Sequence, residues 1–420
     1  MSLSYLMTLA FAAFLLATLV VKFWLATRQI RHVALHRANV PAAFAQRVPL
    51  TAHQKAADYT LTKTRFGLLE TAYGAAVLLA WTLLGGLDVL NQWLLGLLGA
   101  GMTQQIALVA VFALIGGLLE LPFSIYQTFV IEQRFGFNKM TWRLWLADAA
   151  KGIALGIALG LPLLWVVLWL MHAGGNLWWF YAWAFLAAYQ LFVMWIAPRV
   201  ILPLFNKFTP LQDETLKERV TRLMERCGFA AKGLFVMDGS KRSAHANAFF
   251  TGFGANKRVV FFDTLLAQLS HGEMEAVLAH ELGHFKRRHI IKRTISGFAI
   301  SLLGFALLGW LSQQGWFYAG LGVRPSLNAP NDALALLLFM LAVPVFTFFI
   351  SPLFAQLSRK HEFEADAYAV EHASGRELSA ALLKLYEDNA STLTPDPLFV
   401  KFYYSHPPAS ERLARMAAAA

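Results

Sequence analysis

Residues 270–292 read SHGEMEAVLAHELGHFKRRHIIK, and they lead directly into an apolar run at 293–313. Ser270 followed three residues later by Glu273 is a capping box, a pattern typical of the first turn of a helix. The apolar residues that come next recur at helical spacing. The stretch therefore predicts a helix that carries HELGH, at 280–284, and continues into a membrane span.

The composition places most of the chain in a bilayer. The chain has 420 residues, of which 57% are hydrophobic and only 15% are charged. Soluble domains contain about 25% charged residues, so a membrane protein is indicated. Seven apolar stretches are each long enough to cross about 30 Å of hydrocarbon as a helix. They lie at 3–26, 66–85, 105–130, 152–172, 178–198, 293–313 and 331–356.

Two of the apolar segments can be interpreted in more than one way. Leu3–Ala26 is too long for the apolar region of a signal peptide, so we expect a retained first span. The segment 87–100 is apolar but short, and we expect it to form a re-entrant or interfacial connection.

The basic residues of the connections alternate between the two sides. The region around Asp88 contains no Lys or Arg, whereas the loop after the first span contains Arg28, Arg31, Arg37, Arg47, Lys55, Lys63 and Arg65. Cytoplasmic loops carry an excess of these residues, so we expect the N-terminus outside and the polar segments 199–292 and 357–420 in the cytoplasm. We expect a bacterial inner membrane rather than the endoplasmic reticulum.

HELGH is an H-E-x-x-H pattern. His280 and His284 are four residues apart, so on a helix they share one face, separated by about 6 Å along the axis. Two imidazoles placed in this way can occupy two corners of a tetrahedral zinc, and Glu281 can act as a general base on a water. The single cysteine, Cys227, excludes a C-x-x-C site, so any further ligand must be His or carboxylate. A chance match is the alternative, and it has to be judged from context.

A third ligand is available beyond the last predicted span. Glu362 and Asp366 are again four apart, so Glu362 can bind the metal while Asp366 accepts the second ring N–H of a ligand histidine. An ordinary charged helix face is the alternative. Glu364 points elsewhere on the same helix and is a weaker candidate ligand. We expect His289 and His361 to be solvated or structural.

Two further segments complete the pattern: SKRSAHANAFF at 240–250, and HPP at 406–408 followed by ERL at 411–413. Together with HELGH and EFEAD at 362–366, they resemble the type 1 CAAX prenyl proteases, which are integral-membrane gluzincin metallopeptidases. The resemblance covers essentially the whole chain. It implies helices that enclose a chamber, one zinc ion per chain, and hydrolysis near the C-terminus of peptides or proteins that can be prenylated.

The resemblance also implies roles for residues outside the metal ligands. The strand through Asn247 and Ala248 would pair with the substrate backbone, with His245 lining the same cleft. His406 would steady the oxyanion, with Arg412 as its nearby basic partner. Without the resemblance, a turn residue is the preferred interpretation of Asn247, and His406 is equally well interpreted as part of a His-Pro turn before a helix.

The expected fold is therefore mainly α-helical and integral to the membrane, with about seven transmembrane helices and a small α+β catalytic domain of the zincin type. Short strands are predicted at 233–237, 244–253 and 258–262, with a helix at 215–227. Four units are predicted. The N-terminal membrane domain with five spans covers 1–205, and the catalytic domain with the substrate strand and HELGH covers 206–292. A membrane hairpin follows at 293–356, and the C-terminal catalytic part with the third ligand covers 357–420.

These features predict a membrane-embedded zinc metalloendopeptidase. The alternatives are an intramembrane protease of the site-2 type, a membrane quality-control protease of the same clan, and a non-catalytic transporter or scaffold. A site-2 enzyme carries its motif inside a span, whereas here Lys286, Arg287 and Arg288 follow it directly. We expect a monomer whose partners are the bilayer and a peptide or protein substrate that could be lipidated. We attribute the net charge of +11 to basic cytoplasmic loops rather than to nucleic acid binding.

Overall fold

The computed structural model describes residues 1–229, 233–251 and 258–419. Its helices are α1 Leu3–His36, α2 Leu50–Trp81, α3 Gly86–Leu98, α4 Met102–Tyr126, α5 Trp142–Ala173, α6 Trp178–Ile196, α7 Leu202–Phe205, α8 Glu214–Arg226, α9 Asp263–Gln268, α10 His271–Lys286, α11 His289–Leu311, α12 Gly315–Gly320, α13 Asp332–Thr347, α14 Ser351–His372, α15 Gly375–Asp388, α16 Pro397–Tyr403 and α17 Ala409–Ala419. Its strands are β1 Phe208–Pro210, β2 Leu234–Met237, β3 Ala248–Thr251 and β4 Arg258–Phe262.

Membrane-spanning helices make up most of the fold. Among the described residues, six helical segments are long and apolar enough to cross a membrane: Leu3–His36, Met102–Glu132, Trp142–Ala173, Gly175–Phe205, His289–Leu311 and Asp332–His372. The pair α2 and α3, bent by 47°, makes a seventh if it is counted as one span. Gly85 lies at the bend with φ of 78°, a conformation that glycine adopts without strain. Each predicted span overlaps one of these segments.

The spans do not form a solid bundle. In the most apolar stretch of the segment that contains α4, only 6% of the residues are buried. In the corresponding stretch of the segment that contains α6, no residue is buried. A helix packed in a solid bundle buries a stripe of about a third of its surface, so these helices must face open space on their inner side as well. The main membrane core, which includes Leu87, Phe317 and Leu334, lies at the end of the bundle away from HELGH. The membrane helices therefore pack together mainly at that end.

The catalytic part contains a four-stranded sheet of order β1-β2-β4-β3. Strands β2 and β4 confirm the predictions at 233–237 and 258–262, and they pair in parallel. β3 is antiparallel to β4 and lies at the edge, so one side of its backbone is unpaired within the sheet. The candidate strand at 244–253 begins only at Ala248, and its last two residues lie outside the described part of the chain. The edge strand is thus available to an added peptide.

The HELGH helix begins as predicted but ends earlier. The Ser270 hydroxyl accepts a hydrogen bond from the Glu273 N–H (3.2 Å), and the Glu273 carboxylate accepts one from the Ser270 N–H (2.7 Å). The expectation that this helix runs unbroken into the sixth span is wrong. It ends at Lys286, Arg288 takes a left-handed conformation (φ 58°), and α11 starts afresh at His289. One left-handed residue interrupts the helical hydrogen bonds and redirects the chain.

The seventh span carries the third candidate ligand. α13 continues through a short 3₁₀ segment, Phe348–Ile350, into α14, which contains Glu362 and Asp366. No loop separates the membrane helix from the predicted C-terminal catalytic part. The site is consequently attached to the membrane domain by a continuous helical connection.

α10 and α14 approach each other closely at Gly283. A Cβ at this position would lie 3.0 Å from the Ala365 Cα and 3.0 Å from the Tyr368 Cβ. Contacts of this length are too short for carbon atoms in van der Waals contact, which need about 3.5–4.0 Å. Because one of the two neighbours is backbone, a side chain at 283 would push the helices apart.

We expect Gly283→Ala to lower the free energy of unfolding by about 1–3 kcal/mol, the usual cost of overpacking a tight contact. The same shift should weaken zinc binding, since it separates His284 from Glu362. The measurements are the thermal midpoint in detergent and zinc affinity by chelator competition. Gly304→Ala on α11 is the matched control, because no atom lies within 4 Å of its Cβ position. Equal stability of the two variants would contradict this account of the contact.

Candidate active site

Three side chains converge where α10 crosses α14. The Nε2 atoms of His280 and His284 are 3.3 Å apart. The Glu362 carboxylate lies 3.5 Å from the first through Oε2 and 3.4 Å from the second through Oε1. Two residues from one helix and one from another therefore present their ligand atoms to a common point.

This triangle fits a tetrahedral zinc ion. With zinc–ligand bonds of about 2.0–2.2 Å, ligand atoms at two corners of a tetrahedron lie about 3.3–3.6 Å apart. The two histidine nitrogens, and each of them with its nearer Glu362 oxygen, are separated by distances in this range. Glu362 is only 5% exposed, and its Oε2 has no hydrogen-bond partner among the described residues. A buried carboxylate oxygen without a partner is costly, and a cation at the centre of the triangle would satisfy it. The donor set therefore fits zinc.

Buried charges hold His280 in position. Its Nδ1 donates to Asp366 Oδ1 at 2.8 Å. Arg412 binds the same carboxylate through two nitrogens, at 2.8 and 2.5 Å, and all three residues are buried. Arg412 thus supports Asp366 directly, and it also lines the same cavity as His406. A hydrogen bond to Nδ1 fixes the tautomer that leaves Nε2 free for a metal.

The electrostatics around His280 favour a positive charge. Burial lowers the pKa of His280, but the hydrogen bond to Asp366 and the nearby Glu362 carboxylate outweigh burial and raise it to about 9. An imidazole that holds a proton this strongly lies in a negative potential. The same potential stabilises a bound cation.

The other ligand histidine is supported by residues that the sequence reasoning assigned differently. His284 Nδ1 lies 3.0 Å from His289 Nδ1, and His289 Nε2 lies 2.9 Å from Glu364 Oε2. His289 is buried beside a candidate ligand, and its ring stacks on that of His361. Glu364 contacts His289 and not the ligand triangle. The available signal was a histidine at the first residues of a membrane span, where polar side chains are rare and functional.

A cavity of about 1020 Å³ opens onto the triangle. Glu281 lines it, is partly exposed, and has no ion-pair partner in the described part of the chain. His406 also lines it, with Nε2 3.4 Å from Glu362 Oε1 and most of its side chain exposed. The structure therefore brings both predicted catalytic residues to the mouth of the metal centre.

Only part of the predicted substrate strand lies in the cavity wall. Asn247 and Ala248 line the cavity, and the Asn247 carbonyl accepts a hydrogen bond from the Phe262 N–H (3.0 Å). His245, in contrast, does not belong to the lining of this cavity.

The His245 side chain connects the membrane domain to the catalytic part. Its Nδ1 lies 3.0 Å from Asn389 Oδ1, its Nε2 lies 3.6 Å from Glu132 Oε2, and its ring stacks on Phe137. Glu132 ends the membrane segment that contains α4, whereas Asn389 follows α15. These contacts occupy His245, so it holds the edge strand in place from behind.

A membrane domain that carries an H-E-x-x-H helix and a third glutamate ligand defines a membrane metalloprotease. Two family models match the chain. The model described as "CAAX prenyl protease N-terminal, five membrane helices" matches residues 29–207, and "Peptidase family M48" matches residues 210–420.

Individual proteins are similar over nearly the full length. The CAAX prenyl protease 1 homolog of Oryza sativa subsp. japonica is 34% identical, covering 97% of this chain and 96% of that protein. The human CAAX prenyl protease 1 homolog is 32% identical, covering 96% and 94%. The crystal structure of S. mikatae Ste24p has a TM-score of 0.91 at 31% identity, covering 98% of this chain and 99% of that chain.

The chain belongs to the CAAX prenyl protease 1 family of M48 peptidases. It is a multi-pass membrane zinc metalloendopeptidase. The likeness to a solved structure over the whole chain confirms the predicted fold, membrane helices around a chamber with a small α+β catalytic part. Family membership also implies the metal cofactor that the triangle of ligands fits.

Proposed function

We propose that this protein cleaves peptide bonds near the C-terminus of peptide or protein substrates, with one zinc ion per chain held by His280, His284 and Glu362. The observation that carries the proposal is the ligand triangle at the mouth of a cavity that also contains an unpaired carboxylate, Glu281. A base, a metal site and an edge strand lie around one cavity. This combination supports hydrolysis of an extended peptide.

The substrate would add to the sheet next to β3. Its backbone would hydrogen-bond along the outer edge of β3, as in other cases of strand addition. The side-chain oxygen of Asn247 accepts from the Ala248 N–H (2.8 Å), which leaves the side-chain NH₂ of Asn247 to donate to a substrate carbonyl. The scissile bond would then lie over the ligand triangle.

Bound zinc would supply Lewis-acid chemistry, polarising the scissile carbonyl and acidifying water. Glu281 would take a proton from the attacking water and deliver it to the leaving amine. His406 would donate a hydrogen bond from Nε2 to the oxyanion that develops at the carbonyl oxygen when water adds to the carbonyl carbon. Asp366 and Arg412 would keep His280 in its ligating tautomer throughout.

We expect Glu281→Gln to lower kcat by about 10²–10⁴-fold, because a neutral amide cannot accept the proton. Zinc content should remain that of the parent, since Glu281 lies outside the ligand triangle. Peptide cleavage and metal analysis of the purified protein measure the two properties. Glu275→Gln is the matched control. It removes a carboxylate from the same helix, and that carboxylate pairs with Arg219 and Arg226 at the surface. A Glu281→Gln enzyme with parental kcat would refute the mechanism.

Two cations in the cavity wall support a substrate with a free C-terminus. Lys292 and Arg293 lie on the face of α11 that lines the cavity, one turn beyond His289. Neither has an acidic partner among the described residues. Cations on a membrane helix that face a cavity mark a ligand path, and the carboxylate at a peptide's C-terminus is an anion that they can bind. Ile300 and Leu357 add apolar surface for a hydrophobic or lipidated side chain.

We expect the double change Lys292→Gln and Arg293→Gln to lower kcat/KM for peptides with a free C-terminal carboxylate by about tenfold or more, the scale of a lost charge-assisted hydrogen bond. The matched comparison is the same peptide with an amidated C-terminus, for which parent and variant should be equal. Cleavage rates of the two peptides measure the effect. If the parent cleaves the amidated peptide as fast as the free acid, the carboxylate is not recognised.

We also propose that the catalytic part faces the cytoplasm and that the protein acts as a monomer. The Lys and Arg residues of the connections support the orientation. The monomer is supported because one chain supplies all three proposed metal ligands and the proposed base. The bacterial inner membrane remains a prediction from the sequence.

A tag fused after α17 should resist protease added to intact cells and be cleaved after permeabilisation. Cleavage in intact cells would reverse the proposed orientation. Immunoblotting of the tag measures the difference, and a cytoplasmic soluble protein serves as the control for cell integrity.

A further inference from the structure

The two ligand histidines are supported in different ways. His280 Nδ1 donates directly to a carboxylate, Asp366, at 2.8 Å. His284 Nδ1 instead lies 3.0 Å from the Nδ1 of another histidine, His289, and Glu364 is reached only through that second ring. The chain thus places an imidazole between a ligand and the carboxylate that supports it.

The hydrogen bonds permit one assignment of protons. The ligand triangle uses Nε2 of His284, so a neutral His284 carries its proton on Nδ1 and donates it. The Nδ1 of His289 must then accept, which places the His289 proton on Nε2. That Nε2–H faces Glu364 Oε2 at 2.9 Å, and an ionised carboxylate only accepts. Both rings are neutral, and every donor meets an acceptor.

The backbone is arranged to bring His289 to this position. α10 ends at Lys286, and Arg288 turns the chain through a left-handed conformation. His289 therefore begins a new helix and lies beside His284 rather than one turn further along the same axis. Its side chain is 5% exposed, and its ring lies parallel to His361 with centroids 4.1 Å apart. Left-handed conformations of residues other than glycine cost free energy, and they cluster at functional sites.

We propose that His289 is a positioning residue for the zinc centre: it accepts a hydrogen bond from His284 and, held by Glu364, fixes the ring plane and tautomer of that ligand. Glu364 acts through His289 and is not itself a ligand. The two hydrogen bonds from His284 to His289 and from His289 to Glu364 form a relay. Because His289 is the first residue of α11, this relay joins the metal ligand to the helix that lines the cavity. The proposal concerns metal binding, so it can be tested apart from the proposed cleavage reaction.

The test is zinc affinity of the full-length protein in detergent, measured by competition with a chromophoric chelator. His289→Phe keeps a ring against His361 but removes both nitrogens, and we expect affinity to fall about 10–100-fold, the usual cost of losing the support of a ligand histidine. Glu364→Ala should weaken binding in the same direction. Glu364→Gln keeps an acceptor oxygen for His289 and should restore most of the loss.

Two controls separate positioning from packing. His361→Phe preserves the stacked ring without touching His284, and Lys360→Gln removes only the exposed neighbour of Glu364 (4.0 Å). Both should bind zinc as the parent does. With excess chelator present, parent and His289→Phe should melt at the same temperature, so that the variant loses only the stabilisation that zinc adds.

Cobalt substitution gives a spectroscopic readout of ligand geometry. The visible d–d bands of the cobalt-loaded parent should shift in His289→Phe and stay unchanged in the two controls. If His289→Phe binds zinc within twofold of the parent and leaves the cobalt bands in place, or if His361→Phe loses as much affinity, the relay does not position His284. Neither outcome depends on peptide cleavage.

Discussion

The crossing of α10 over α14 is the contact on which the rest of the site depends. Two histidines come from one helix and Glu362 from the other, so no metal centre exists unless the helices approach to the distance that Gly283 allows. α14 continues the seventh membrane span. The ligand triangle is therefore held by the membrane domain, which explains why a small catalytic sheet and a large chamber form one enzyme.

The buried charges at this crossing favour a cation in the ligand triangle. Glu362, Asp366, His280 and Arg412 are all buried. Buried charges are stable only when each has partners, and a partly satisfied network costs more than an apolar core. Asp366 is satisfied by Arg412 and His280, whereas one oxygen of Glu362 is not. A cation in the triangle would complete the network, and its binding would then stabilise the folded state.

The edge strand β3 is held by a second set of contacts. His245 bridges Glu132 of the membrane domain and Asn389 of the catalytic part, behind the strand that lines the cavity. Arg242, just before it, pairs with Asp148 on α5. The edge strand is consequently held between the membrane helices and the α10–α14 crossing, and the wall of the cavity and the metal site are built from the same helices.

The sequence by itself determined the spans, the start of α10 at its capping box, and the four-residue spacings of His280 with His284 and of Glu362 with Asp366, because these follow from local periodicity and composition. It also led, through resemblance, to Asn247 and His406. The break at Arg288 and the position of His289 beside His284 were decided only by the tertiary structure. His289 and Glu364 are 75 residues apart in sequence, and a left-handed residue together with the packing of α10 on α14 brings them into contact. Such contacts between distant segments leave no periodic pattern, so the sequence alone could not reveal them.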